Sequence, residues 1–411
     1  MKTFITCITF CVIFFQISSA QKKQNLKLNA DFINNQLSAS AEQYKFLVSE
    51  VSPGKFPKTF AGGSQEFSNS SWWCSGFYPG TLLYLSEGTS NSELEKVALE
   101  KLKDLEKEQY NKGTHDLGFM LFCSFGNALR LTNDSVKYQP ILKTGAESLI
   151  SRYSPITKTI RSWDHNVWKF PVIIDNMMNL EFLMEVSKTT GDKKYADIAI
   201  THANTTMKNH FRKDFSSYHV IDYNPEVGGV LAKQTAQGAF DESSWARGQA
   251  WGLYGFTMMY RETKDKSYLK QSQEIADFIL NNEHLPEDLI PYWDFDKDKI
   301  PANDKTYSRK DLRDASAAAV IASALLELSQ YTKGNKGAYY LTKAEDIIKT
   351  LSSKEYFAQK GENGGYLLKH SVGALPLNSE VDVPLTYADY YYVESLVRYR
   401  RILEGDPIIK R

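Results

Sequence analysis

Phe170-Pro171-Val172-Ile173-Ile174-Asp175-Asn176-Met177-Met178-Asn179-Leu180-Glu181-Phe182-Leu183-Met184-Glu185-Val186-Ser187-Lys188-Thr189-Thr190-Gly191 is the stretch on which the fold turns. A proline-anchored apolar run ends in a single carboxylate with amides beside it. A helical pattern then begins at Met177, Met178, Leu180, Leu183 and Met184 and stops at a turn over Thr189–Asp192. Asp175 therefore stands at or near a helix N-terminus, where an aspartate ordinarily accepts the free backbone N–H groups of the first turn.

Five further segments have the same form. They start near Gly76, Asp116, Arg247, Asp314 and Asp389, and each is apolar or small on nearly every side. Between them lie amphipathic helices over Glu93–Tyr110, Val136–Arg152, Lys194–Phe211, Tyr268–Leu280 and Tyr340–Leu351, apolar on one side only. A helix apolar all round must be buried on several sides, and a one-sided helix covers it. The unit spacing is irregular and longer than solenoid periods. These features predict an all-α fold: a closed (α/α)6 barrel, a toroid of six helical hairpins. With no linker or composition break, it forms a single catalytic domain over residues 21–411. In such a ring the inner N-termini gather at one end. Asp116, Asp175, Arg247, Asp314 and Asp389 are expected to converge there with the loops bearing Trp72-Trp73, His115, Trp163, His219, Gln237 and Trp245. A cleft floored by acids and walled by aromatics has the composition of a sugar site.

Composition agrees with an ordinary globular chain. The 411 residues are 42% hydrophobic and 24% charged with formal net charge 0, which gives no electrostatic footprint for nucleic acid. Residues 1–20 read as a signal peptide. Lys2 supplies the charge, Phe4–Ile17 an apolar run too short for a membrane span, and Ser18-Ser19-Ala20 the small residues before Gln21. The expectation is export, to the periplasm or outside the cell, with no membrane span in the mature chain. Beyond Cys7 and Cys11 in that leader only Cys74 and Cys123 remain, and both read as buried small hydrophobes rather than a bridge.

Asp116 and Asp175 are the best candidate pair for chemistry. Two nearby carboxylates cannot both ionise freely, so one keeps its proton and can serve as an acid, the usual equipment for glycoside chemistry. Helix dipoles oppose this by favouring the ionised forms. Arg247 at a helix start puts a cation at the positive end of a dipole, an arrangement that suits a clamp for a substrate carboxylate or an ion pair with Asp241 or Glu242. Trp251, one turn on, shares its face. His219 reads either as a neutral hydrogen-bond donor or as a satisfied core imidazole. The histidines show no metal-binding spacing, and there is no nucleophile elbow, phosphate loop or dinucleotide fingerprint, so neither metal nor cofactor is implied.

These motifs resemble a known family. His115-Asp116-Leu117-Gly118-Phe119, the Ile173–Asn179 run IIDNMMN, Tyr218-His219, Gln237-Gly238, Asp241–Gly255 (DESSWARGQAWGLYG), His370-Ser371 and Asp382–Tyr392 (DVPLTYADYYY) are similar to the unsaturated glucuronyl hydrolases of glycoside hydrolase family 88. The resemblance implies the (α/α)6 barrel and removal of a 4,5-unsaturated uronic acid from the non-reducing end of lyase-generated, glycosaminoglycan-type oligosaccharides. The chemistry it implies is hydration of a vinyl ether. It assigns Asp175 as acid/base and Asp116 as the second carboxylate, with Trp73, His115, Trp163, His219, Gln237, Arg247 and Trp251 lining the substrate site. Ser371–Glu380 carries no lysine where some members hold sulfate, so unsulfated or weakly sulfated products are expected. The competing readings are an unsaturated rhamnogalacturonyl hydrolase acting on pectin products, an inverting glycosidase of intact glycans, and a non-catalytic helical-repeat glycan binder.

Overall fold

The computed structural model describes residues 26–164 and 167–410. The expected leader, residues 1–20, and the expected domain start at Gln21 lie outside them. Twelve α-helices are present among the described residues: α1 Ala30–Glu50, α2 Phe77–Thr89, α3 Ser92–Leu105, α4 Asn127–Thr132, α5 Ser135–Ile150, α6 Leu180–Thr190, α7 Lys193–Asn209, α8 Ala246–Thr263, α9 Lys266–Leu280, α10 Ala315–Tyr331, α11 Gly334–Leu351 and α12 Thr386–Glu404. Two of the inner helices have unusual beginnings. A π-helix, Gly118–Gly126, leads into α4, and a 3₁₀ segment, Ile174–Asn179, leads into α6.

The inner ring is closed. α2 packs on the π-helix, the π-helix on the 3₁₀ segment and α6, these on α8, α8 on α10, α10 on α12, and α12 back on α2. Burial follows from composition: every residue of Asp314–Ser329 and of Ser243–Met259 is buried, so neither segment presents a face to water. The outer helices α3, α5, α7, α9 and α11 are the amphipathic segments expected from their periodicity. The sixth outer helix is α1, which the sequence reading did not assign. It buries Ile33, Leu37, Ala41, Tyr44 and Leu47 against α2 and α12 and closes the outer layer.

The two ends of the barrel are built differently. Inner helices pass to outer ones through tight turns: Ser90-Asn91, Asn133-Asp134, Gly191-Asp192 and Lys264-Asp265. In each the first residue ends the inner helix in the left-handed region, and the side chain of the second caps the outer helix. Such a cap contributes about 1 kcal/mol. Outer-to-inner connections are long and carry the nine short strands found among the described residues, in segments that the sequence reads as loops. Pro171–Ile173, Val220–Tyr223 and Val230–Gln234 form one antiparallel sheet, and Ser371–Ala374 pairs with Ser379–Val383.

Cys74 is buried, Cys123 is half-buried, and both are free thiols, as expected. No helix among the described residues is long and apolar enough to cross a membrane.

Candidate active site

At the long-loop end a cleft of about 600 Å³ opens into the ring. Trp73, His115, Asp116, Trp163, Asp175, Gln237 and Arg247 all line it. His219 and Trp251 lie in its wall against Asp175. The site residues expected from sequence are therefore brought together, although they come from five separate connections and helices.

Asp175 is the centre of the site, and it is not the helix cap that its position suggested. It falls inside the 3₁₀ segment rather than before it, and its Oδ2 has no hydrogen-bond partner although the residue is only 7% exposed. Burial pushes its carboxyl up to about 7; Arg247 opposes this and Asp116 reinforces it. The Trp251 indole N–H also favours the ionised form, yet Nε1 lies beyond normal hydrogen-bonding reach of any acceptor. A carboxyl that lines a cleft with a proton affinity near neutrality is equipped to give and take a proton.

His219 is fixed as a neutral donor. Its Nδ1 accepts the backbone N–H groups of Ala236 and Gln237 at 3.1 and 3.2 Å, so the ring proton must sit on Nε2. Nε2 is 3.8 Å from Asp175 Oδ2, and burial holds the imidazole uncharged. Between the two readings left open, the structure selects the donor. Trp163 meets this ring edge-on at 5.9 Å, and Trp245 lies 4.6 Å away on another side.

Asp116 is held by a short turn. Thr114 Oγ1 donates to its Oδ2 at 2.6 Å and accepts its backbone N–H at 3.1 Å. His115 Nε2 lies 3.3 Å from Asp116 Oδ1. Ser162 Oγ accepts the Ile173 N–H at 3.0 Å and lies 3.4 Å from His115 Nδ1. Burial depresses the affinity of His115 for a second proton, with Asp116 pulling the other way.

Arg247 pairs with neither Asp241 nor Glu242. It donates to Asp314 Oδ2 at 3.3 Å, to Gly373 O at 2.6 Å and to Val372 O, and it lies over the Trp245 ring. The guanidinium is 1% exposed, with Nε unpartnered. It thus docks the Ser371–Val383 hairpin onto the ring and fixes a positive charge beside Asp175. Gln237 joins it by donating to Gly373 O at 3.2 Å.

Two of the converging acids do not reach the cleft. Asp314 caps α10 through Ser316 N and Ala317 N and faces Arg247. Asp389 accepts from Leu367 N, Leu368 N and the Tyr44 hydroxyl at 2.9–3.1 Å, which makes it a tie for the loop before the hairpin. Both positions carry the same local signal as Asp175, and distant donors claim them.

Comparison with known proteins identifies the ensemble. The glycosyl hydrolase family 88 model matches residues 49–402. The chain belongs to that family. It is 42% identical to an unsaturated glucuronyl hydrolase of Formosa agariphila over 93% of this chain and 94% of that protein. It is 31% identical to an unsaturated chondroitin disaccharide hydrolase of Streptococcus agalactiae, over 84% and 85% respectively. The crystal structure of an unsaturated glucuronyl hydrolase specific for heparin superposes with a TM-score of 0.86 at 48% identity, over 92% of this chain and 99% of that one. The family 88 barrel here also uses residues that the sequence did not single out. Trp168 packs 5.4 Å from Trp163 and donates its indole N–H to Gln234 at 2.7 Å, extending the aromatic wall. Thr114, Ser162, Asn176 and Asn179 hydrogen-bond in and around the segments that bear Asp116 and Asp175. The two amides lie in the Ile173–Asn179 motif, and their polarity inside an otherwise apolar helix start is a further signal.

Proposed function

We propose that this glycosidase is an unsaturated glucuronyl hydrolase, releasing the 4,5-unsaturated uronic acid from the non-reducing end of glycosaminoglycan-type oligosaccharides. The observation that carries the reading is Asp175: a carboxyl that lines a tryptophan-walled cleft, raised to about 7 by burial, with its buried Oδ2 left without a hydrogen-bond partner beside His219. Protonated, it delivers its proton to C4 of the vinyl ether, and positive charge develops at C5. The resulting carboxylate then takes a proton from water as that water adds to C5. The hemiketal opens and the glycosidic bond is lost. Asp116 keeps the proton on Asp175 before the first step by like-charge repulsion. The His219 Nε2–H is placed to stabilise the carboxylate that the first step generates, and the indoles offer flat faces to sugar C–H surfaces.

The substrate's second sugar is approached from two directions. Leu377, not a cation, stands at the lip of the cleft, which supports products of low sulfation; the likeness to the heparin-specific enzyme supports sulfated ones. Ultraviolet absorbance of the conjugated uronate, followed with lyase-generated disaccharides of heparin, chondroitin, hyaluronan and pectin, decides between them. Loss of absorbance that disappears in Asp175→Asn is the expected result. Unchanged absorbance on every disaccharide overturns the activity. The Lys2, Phe4–Ile17 and Ser18–Ala20 pattern supports export of the mature enzyme. Amino-terminal sequencing of the native protein tests this; a retained Met1 refutes it.

A further inference from the structure

Asn179 is the last residue of the 3₁₀ segment that carries Asp175, and it is fully buried. Its Oδ1 accepts two backbone N–H groups at once, Gly118 at 2.8 Å and Phe119 at 3.3 Å. Those two residues open the π-helix, which Leu117 alone separates from Asp116. Gly118 packs so closely on Asn179 that a Cβ there would lie 2.6 Å from both its Cα and its Oδ1. A widened π turn aligns successive N–H groups on one acceptor, and such turns concentrate at functional sites.

We propose that Asn179 is a positioning residue: its amide joins the segment bearing Asp175 to the segment bearing Asp116 and thereby sets the spacing of the two carboxylates. This rests on the reading of Asp175 as the acid. Asp175 is faced by Asp116 from the turn before the π-helix, by Arg247 from α8 and by His219 from the loop before Val220–Tyr223. Of these, Asp116 is the group whose position the Asn179 joint controls.

The test compares kcat, KM and the alkaline limb of the kcat–pH profile for the wild type, Asn179→Ala, Asn179→Asp, Gly118→Ala and Asp175→Asn. Loss of the acceptor in Asn179→Ala lets Asp116 relax away, so kcat falls by about 10²-fold with KM little changed. The alkaline limb moves to lower pH, because repulsion no longer holds the proton on Asp175. Gly118→Ala pushes the same joint apart from the other side and moves the limb the same way. Asn179→Asp keeps an acceptor for both N–H groups and adds a negative charge, so it moves the limb to higher pH and recovers part of kcat below it. If Asn179→Ala does not fold, the latter two variants carry the test. Folded variants with a lowered Tm and an unmoved limb overturn the proposal while Asp175→Asn stays inert. Turnover in Asp175→Asn overturns the assignment of the acid itself, and the inference with it.

Discussion

The two poles of the barrel bury polar and charged groups to opposite ends. At the cleft pole Asp175 Oδ2, His115 Nε2, His219 Nε2 and Trp251 Nε1 are buried without a normal hydrogen bond. At the other pole Glu394 accepts from Tyr84, Tyr254 and Ser323 and lies 3.3 Å from Arg398. Nearby, Arg261 grips Glu327 through two bonds of 2.8 Å, and Arg398 approaches Glu327 at 3.3 Å. An enclosed space of about 110 Å³ there is bordered by Tyr254, Glu394 and Arg398, whose polar groups answer one another. A buried charge whose partners are complete holds a fold; one whose partners are withheld stores reactivity. The difference lies in what surrounds the residues.

The largest effect that could break this contrast is Asp175→Asn. It is expected to lower kcat by about 10³- to 10⁴-fold, the upper range for loss of a group that serves as both acid and base, with circular dichroism unchanged. Its counterpart is Arg398→Leu. Removing the guanidinium that faces Glu394, and the second of the two beside Glu327, should cost about 3–5 kcal/mol in denaturant unfolding while the remaining folded enzyme keeps its kcat. A large kcat loss in Arg398→Leu would mean the poles are not independent. His219→Phe removes the Nε2 donor and should lower kcat about 10²-fold with a smaller change in KM, measured at saturating disaccharide. The smallest effect is thermal. The fold raises the Asp175 pKa from 3.8 to about 7, so the stabilisation of its protonated form is complete below about 4 and is lost as pH rises through 7. Asp175→Asn should therefore melt a few degrees (~2–4 °C) above wild type at pH 8 and level with it near pH 4. The shifts of Asp389 and Asp294 are common to both proteins and cancel.

Much of this architecture was legible because burial imposes composition. Asp314–Ser329 has no polar face and can only be an inner helix, while α9 has an apolar stripe and can only be an outer one. α1 escaped because the repeating units were recognised by their inner starts, and the helix that closes the outer layer precedes all of them. The π-helix was not legible, since the composition of Gly118–Gly126 suits an α-helix equally well and the amide that receives its first two N–H groups, Asn179, lies some sixty residues away. The acids divide for the same reason. Asp175, Asp314 and Asp389 each open an apolar helix, but Leu367 N–H and Tyr44 claim one and Arg247 another, across gaps in sequence that local pattern cannot bridge. Family motifs supplied the missing long-range information for Asp175 and Asp116; the run IIDNMMN contains Asn176 and Asn179 as well, but carries no sign of the distant backbone groups they reach.

The four capped turns at the far rim admit no change in length, because each spends its first residue ending one helix and its second starting the next. The loops at the cleft rim have no such restriction. Insertions and deletions there leave the twelve helices in register, so new sugar preferences can be tried without re-solving the folding problem. Evolutionary change in substrate range should accordingly be written in the lengths of 51–76, 151–173, 210–245, 281–314 and 352–385, and engineered grafts belong in those same intervals.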